Sequence, residues 1–224
     1  MRLNKYIARS GVTSRRKADY LIETGQVSVN GVVVTDFMDV TDKDEVVVGG
    51  KKISLPDESI IIAVYKPSGV MSTLSDRFAK KTIDELLPAD LPRLNPVGRL
   101  DMESEGLLLM TNDGELHHEL THPSFEHEKE YEVHLERDIL NAELEQLRSG
   151  VELEEGMTPL VEVQRLAADA FSIVLKQGWN RQIRRMVGAV NNRVTLLKRV
   201  RIGKLQLDTM QPGETRVVTR AEIL

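Results

Sequence analysis

The chain has 224 residues, 41% hydrophobic and 29% charged, a balance that suits a folded protein of one large domain, or of a small one plus a medium one. It contains no cysteine, which removes disulfide frameworks and thiolate chemistry, and no apolar run approaches the length of a membrane span. The basic N-terminus has no apolar stretch after its charges, so it does not read as a signal peptide, and a cytoplasmic protein without membrane association is expected.

The formal net charge of −5 argues on its face against nucleic acid. Its distribution argues the other way. Residues 1–20 hold six basic side chains against Asp19 alone, residues 181–204 hold eight and no acid, and the rest of the chain carries −18. Local potential, rather than whole-chain charge, governs encounters with a polyanion, so two basic segments on an acidic chain point to an anionic polymer.

Leu3 and Ile7, four apart, suit a short helix ended by Gly11. Thr13 or Ser14 can cap a second helix to about Thr24, with Ala18, Leu21 and Ile22 inward and Gly25 past its end. In VSVNGVVV, residues 27–34, valines alternate around Asn30-Gly31, a strong hairpin signal. Strands at 46–48 and 53–55 flank a second turn at Gly49-Gly50. Pro56-Asp57-Glu58-Ser59 reads as a linker, so domains of 1–58 and 59–224 are expected.

Beyond it, a strand at 60–65 stops at Lys66-Pro67-Ser68-Gly69, which lacks phosphate-loop spacing and reads as a turn. Helices are expected over 83–87, 115–120, 139–149 and 181–190, and strands over 107–110, 130–135, 161–166, 171–175 and 205–207. Without a regular strand–helix alternation, this is an α+β pattern with a mixed, mainly antiparallel sheet.

Three stretches bear on chemistry. His118-Glu119-Leu120-Thr121-His122 fits the zinc-hydrolase pattern H-E-x-x-H. That pattern needs both imidazoles on one helix face, and Pro123 puts His122 at or past the helix end; a polar helix end is the default reading and zinc hydrolysis the alternative. GRLDMESEGLLLMTNDGEL, 98–116, sets Asp101, Glu103 and Glu105 ahead of the apolar run 107–110. It suits either a loop before a core strand or a scaffold that aims one acid; paired glycosidase carboxylates are possible, but nine aromatic residues offer few sugar platforms. In QGWNRQIRRMVGAV, 177–190, Arg181, Arg184 and Arg185 open a helix, where arginines suit phosphate contacts or a carboxylate partner, and a solvated basic face fits as well.

Taken in order along nearly the whole chain, these motifs resemble the rRNA pseudouridine synthases of the RsuA/RluB/RluE/RluF type. Residues 1 to about 50 resemble an S4 RNA-binding module, and YKPSGV, GRLDMESEGLLLMTNDGEL, KEYEV and NRQIRRM resemble the motifs of the catalytic domain. The resemblance implies isomerisation of a uridine to pseudouridine, with Asp101 as nucleophile, Tyr131 stacked on a flipped-out base, Arg184 paired with Asp101 and Ile183 packed under the base. Arg99 would contact phosphate near the vacated position. Arg2, Lys5, Arg9, Arg15, Arg16 and Lys17, with Arg181 and Arg185, would bind RNA backbone. The isomerisation needs no redox change or external group, so no cofactor and no metal is expected; the partner is ribosomal RNA or a ribosome assembly intermediate, met by a monomer.

The family's usual Asp-Thr is replaced by Glu103-Ser104, which keeps both functional groups, and a glycine common after the arginine helix is replaced near Asn191-Asn192. The chemistry leaves attack at the sugar C1′ and addition to ring C6 both open. An S4-type RNA binder without activity is the remaining alternative.

Overall fold

In the computed structural model, residues 1–56, 58–74, 81–176 and 178–224 are described; Asp57 of the expected linker and Gln177 of the arginine segment lie outside them. The chain divides into two units, one of Met1–Ile60, Ala89–Asn95 and Thr111–Glu115, the other of Ile61–Pro88, Pro96–Met110 and Leu116–Leu224.

Local signals build the first unit. Helices α1 (Leu3–Arg9) and α2 (Arg15–Glu23) are separated by Ser14, whose side chain accepts a hydrogen bond from the Lys17 N–H at 3.3 Å and so caps α2. Strands β1 (Val27–Val29) and β2 (Val32–Val34) join through Asn30 at φ 52° and Gly31 at φ 81°, the pair of left-handed residues that a tight hairpin needs. Strands β3 (Val46–Val48) and β4 (Lys51–Ile53) complete a sheet of order β2-β1-β3-β4. The last strand begins earlier than expected, because Gly49-Gly50 is a two-residue turn that leaves Lys51 opposite Val48. Leu3, Ile7, Ala18 and Ile22 bury against Val27, Val29 and Val46, so the apolar faces of helices and sheet form one core.

The second unit is built on a sheet containing nine strands among the described residues. In chain order come β5 (Ile61–Lys66), β6 (Asn95–Val97), β7 (Glu105–Thr111), α3 (Gly114–Thr121), β8 (Lys129–Leu135) and α4 (Asn141–Ser149). A small hairpin, β9 (Glu152–Leu153) and β10 (Gly156–Met157), leads to β11 (Glu162–Ala167), β12 (Ala170–Leu175) and α5 (Gln182–Ala189). The chain closes with β13 (Val194–Ile202), β14 (Leu205–Gln206), β15 (Thr215–Val217) and α6 (Arg220–Ile223). Strand order is β11-β12-β8-β13-β7-β5-β15, with β6 on β7 and β14 on β13. The run from β11 to β13 is antiparallel, and β13 then lies parallel to β7. This is the expected α+β class. No helix among the described residues is long and apolar enough to cross a membrane.

The expected helix at 83–87 is a single 3₁₀ turn, Ile83–Leu86. A larger difference is β13, an interior strand that the sequence reading treated as part of a basic segment. Its charges are absorbed by the fold. Arg201 pairs with Glu130 at 2.9 Å and Glu128 at 3.2 Å, Lys198 lies 3.9 Å from Glu132, and Arg199 is 2% exposed and donates to the Leu107 carbonyl at 2.7 Å. A basic strand beside an acidic one is a cross-strand ladder, so this half of the +8 segment is not a free cationic surface. In the first unit the opposite holds: among the described residues none of Arg2, Lys5, Arg9, Arg15, Arg16 and Lys17 forms an ion pair, and Arg2, Arg15, Arg16 and Lys17 are exposed.

Candidate active site

The loop between β6 and β7 carries Asp101, and hydrogen bonds from a distant turn hold it. The Ser72 hydroxyl donates to the Leu100 carbonyl at 2.7 Å and accepts from the Leu100 N–H at 3.0 Å. The Gly69 N–H donates to the Met102 carbonyl at 2.7 Å. Lys66, completely buried, donates from Nζ to the carbonyls of Val70 at 2.8 Å, Pro67 at 3.0 Å and Met102 at 3.4 Å. The Lys66-Pro67-Ser68-Gly69 turn is therefore a brace for the loop of Asp101, a role that its sequence signal as a strand-stopping turn did not disclose.

Burial pulls the Lys66 ammonium down to about 8 from the ordinary 10.5, against the opposing pull of Glu105 and Asp101. Between those two values the unfolded chain holds a proton that the folded chain has released, so Lys66 adds stability as pH rises through the window and weighs against the fold below it. The unfolding free energy of the wild type minus that of Lys66→Met is expected to rise by about 3 kcal/mol across this range in urea titrations. A flat difference would mean that Lys66 is not desolvated. Lys129, also lowered to about 8 by burial, is present in both proteins and cancels.

Helix α5 brings the arginines to the acids. Arg181 precedes it with φ 51°, and its guanidinium lies 2.5 Å from Glu103 Oε1 and 3.5 Å from Asp101 Oδ2. Arg184 donates from Nη2 to the buried Ser104 hydroxyl at 3.1 Å, while its Nε stands 4.0 Å from Asp101 Oδ2 and 3.8 Å from Glu103. The Arg181 hydrogen bond holds the Glu103 carboxyl below the usual carboxylate range. Burial lowers Arg184, though a guanidinium stays cationic at any physiological pH. Two cations thus flank Asp101: Arg184, expected beside it, at 4.0 Å, and Arg181, expected only on RNA backbone, at 3.5 Å. Motif reading missed this because the Arg181–Glu103 pair depends on the left-handed turn at the helix start.

A cavity of 140 Å³ opens beside Asp101, lined among others by Arg99, Tyr131, Trp179, Arg181 and Ile183. Its volume equals about four to five waters, enough for one small planar ring. Tyr131 is half-buried on β8, opposite Ile173 and Arg199 in register. Ile183 is 4% exposed. Trp179 was not expected here; its backbone N–H donates to Gln182 Oε1 at 2.9 Å and its carbonyl accepts from the Gln182 backbone N–H at 3.2 Å, so the first turn of α5 holds its backbone. Arg184 instead lines an adjoining 750 Å³ cavity with Arg181, Glu103 and Arg193. Arg185 turns away to a two-pronged pair with Glu155 at 2.7 and 2.8 Å.

The H-E-x-x-H segment follows the expectation from Pro123 in where the helix ends but not in its faces: the His122 N–H still donates to the His118 carbonyl at 2.8 Å, which keeps the two imidazoles on one side. Helix α3 ends at Thr121, His122 lies just past it, and the rings of His118 and His122 stack with centroids 4.8 Å apart. Among the described residues, no group of three or more His, Cys, Asp or Glu is placed to hold a metal ion.

Chemically, the arrangement presents a half-buried carboxylate between two guanidiniums, at the mouth of a ring-sized pocket with an aromatic wall and an apolar floor. Such a site suits a reaction at an electrophilic carbon attached to a flat ring.

Residues 60–189 match the RNA pseudouridylate synthase family model and residues 1–46 match the S4 domain. The chain is 41% identical over 227 residues to an uncharacterized RNA pseudouridine synthase of Aquifex aeolicus, across 100% of this chain and 94% of that one. It is 38% identical to ribosomal large subunit pseudouridine synthase B of Bacillus subtilis, across 99% and 93% of the two chains. It is 37% identical to dual-specificity RNA pseudouridine synthase RluF of Salmonella typhi, across 100% and 77%. A crystal structure of a pseudouridylate synthase superposes with a TM-score of 0.73 at 28% identity, covering 100% of this chain and 98% of that one. With both family models matched in order and relatives aligned over its whole length, the chain belongs to the RNA pseudouridylate synthase family and carries an S4 domain at its N-terminus.

Proposed function

We propose that this pseudouridine synthase isomerises a specific uridine in ribosomal RNA, with Asp101 as its nucleophile and the target base turned out of its stack against Tyr131. The observation that carries the reading is the 140 Å³ pocket, which gathers Asp101, Tyr131, Ile183, Arg99 and Arg181 at one opening. Ribosomal RNA as substrate is supported by the names of the large-subunit and dual-specificity relatives.

The chemistry follows from the residues. Arg181 and Arg184, 3.5 and 4.0 Å from the Asp101 carboxyl, hold it at the pocket mouth, and a carboxylate oxygen is a competent nucleophile. That carboxylate either displaces N1 from C1′ of the ribose, the C1′–N1 electron pair leaving with the base, or adds to C6 of the uracil, after which the C1′–N1 bond breaks; the base then rotates, C5 bonds to C1′, the carboxylate is released from the carbon it had attacked, and the C5 hydrogen leaves as a proton. A base inside folded RNA must first be unstacked, and the Tyr131 ring above Ile183 receives it. Arg99, exposed at the pocket rim, takes a phosphate near the vacated position. Residues 1–58 form the RNA-gripping domain and residues 59–224 the catalytic domain of a cytoplasmic monomer. The grip of the first domain rests on Arg2, Lys5, Arg9, Arg15, Arg16 and Lys17, which form no ion pair among the described residues, and phosphate contacts of that kind weaken with salt.

Release of tritium from RNA labelled at uridine C5 tests the proposal, using separate small- and large-subunit transcripts and unmodified ribosomal particles. Forming the C–C bond must expel that hydrogen. Release is expected from a large-subunit substrate. Release from none of the four substrates would overturn the function and leave an RNA binder without activity.

A further inference from the structure

The central strand β13 places a charge where the fold alone gives no reason for one. Arg199 is 2% exposed, forms no ion pair among the described residues, and has an Nη2 with no hydrogen-bond partner. A guanidinium in that state is costly, and an apolar side chain of similar volume would serve packing better. Two contacts indicate its use. Its Nε donates to the Leu107 carbonyl on β7 at 2.7 Å, and its guanidinium carbon sits 6.0 Å from the centre of the Tyr131 ring. Arg199 and Tyr131 are also direct partners in the β13–β8 register, so their side chains rise from the same face of the sheet.

We propose that Arg199 is a positioning residue that fixes the Tyr131 ring for the target base. Its bond to β7 ties the strand that follows Asp101 to the ring on β8, so that nucleophile and base platform keep one spacing. Arg199 lies behind the pocket wall rather than in it, and acts only through the tyrosine. The cation also draws π density from the ring. This suits either chemical route. Attack at C1′ sends the C1′–N1 electron pair onto the base, and addition at C6 sends the ring double-bond pair towards O4; in each the base gains negative charge, and an electron-poor ring is the better partner for it.

This rests on the reading of Tyr131 as the base platform, so the test separates the two. Single-turnover tritium release and RNA affinity are measured for the full-length Arg199→Met, Arg199→Lys, Tyr131→Leu and Arg199→Met/Tyr131→Leu proteins. Arg199→Met is expected to fold, bind RNA as tightly as wild type, and react about tenfold more slowly or worse at saturating enzyme. Arg199→Lys, which keeps the cation, recovers part of that loss. In the Tyr131→Leu background, Arg199→Met adds less than about a twofold further loss, because the ring it serves is gone. A wild-type rate for Arg199→Met beside a slow Tyr131→Leu overturns the inference alone, and so do multiplicative losses in the double mutant. A wild-type rate for Tyr131→Leu overturns the platform reading and this inference with it. If neither Arg199 variant folds, Arg199 is structural and the inference falls.

Discussion

Asp101→Asn is expected to cut tritium release by about 10⁴-fold or more while leaving RNA affinity within about twofold. Asparagine keeps the shape of the side chain and its place in the braced loop, so Arg181, Arg184, Ser104 and Glu103 retain their surroundings. What it loses is the negative charge that, in the proposed mechanism, makes the side-chain oxygen a nucleophile. The phosphate contacts assigned to Arg99 and the N-terminal helices do not involve this carboxyl, so binding measured by filter retention should be preserved. A mutant retaining a tenth of wild-type turnover would sink the nucleophile assignment. A mutant that lost affinity in step with rate would show instead that Asp101 shapes the RNA site.

Gly106→Ala is expected to destabilise the catalytic unit by about 4 kcal/mol, visible as a fall in the urea midpoint. Gly106 sits in β7 at φ 105°, a conformation that side chains rarely adopt. A Cβ there would meet the Arg199 carbonyl oxygen at 2.3 Å and its amide nitrogen at 2.6 Å. These are backbone atoms of the adjoining parallel strand, paired with Gly106 in register, so they cannot swing aside. Relief requires moving β13 away from β7, which would pull Arg199 off the Leu107 carbonyl. Gly188→Ala is the control: it lies within α5, nothing stands within 4 Å of its added carbon, and it should leave stability unchanged or raise it by about 1 kcal/mol. Equal effects at the two positions would refute the close-approach argument.

The elements legible in the sequence share one physical property: their determinants lie within a few residues of each other. Ser14 caps the helix that begins at the next residue, and Asn30-Gly31 supplies both left-handed residues of its own turn. The replaced glycine after the arginine helix resolves in the same local way, since Asn191 itself takes φ 55° there. The motif around Asp101 was legible for another reason. An acid ahead of the apolar run of β7 must end near the sheet, whatever the rest of the chain does.

Charge was the signal that sequence could count but not interpret. The two basic segments looked alike, yet one keeps its cations open and the other spends much of its charge within the fold. Arg201 finds Glu130 across 71 residues of chain through the pairing of β13 with β8, and Arg184 on α5 finds Ser104 across 80. For the same reason Lys198, Arg199 and Arg201 disguised a central strand as a charge run.

By itself, then, the sequence determined the α+β class, the helix-helix-hairpin module, the Asp101 loop and the family, because these depend on caps, turns, alternation and contiguous motifs. Only the tertiary structure decided that Arg181 comes nearer to Asp101 than Arg184 does, that Trp179 lines the pocket, that Lys66 braces the loop, and that Arg199 stands behind Tyr131. Each of these is a contact between segments distant along the chain, and its partner is chosen by strand order and register rather than by any neighbour in sequence.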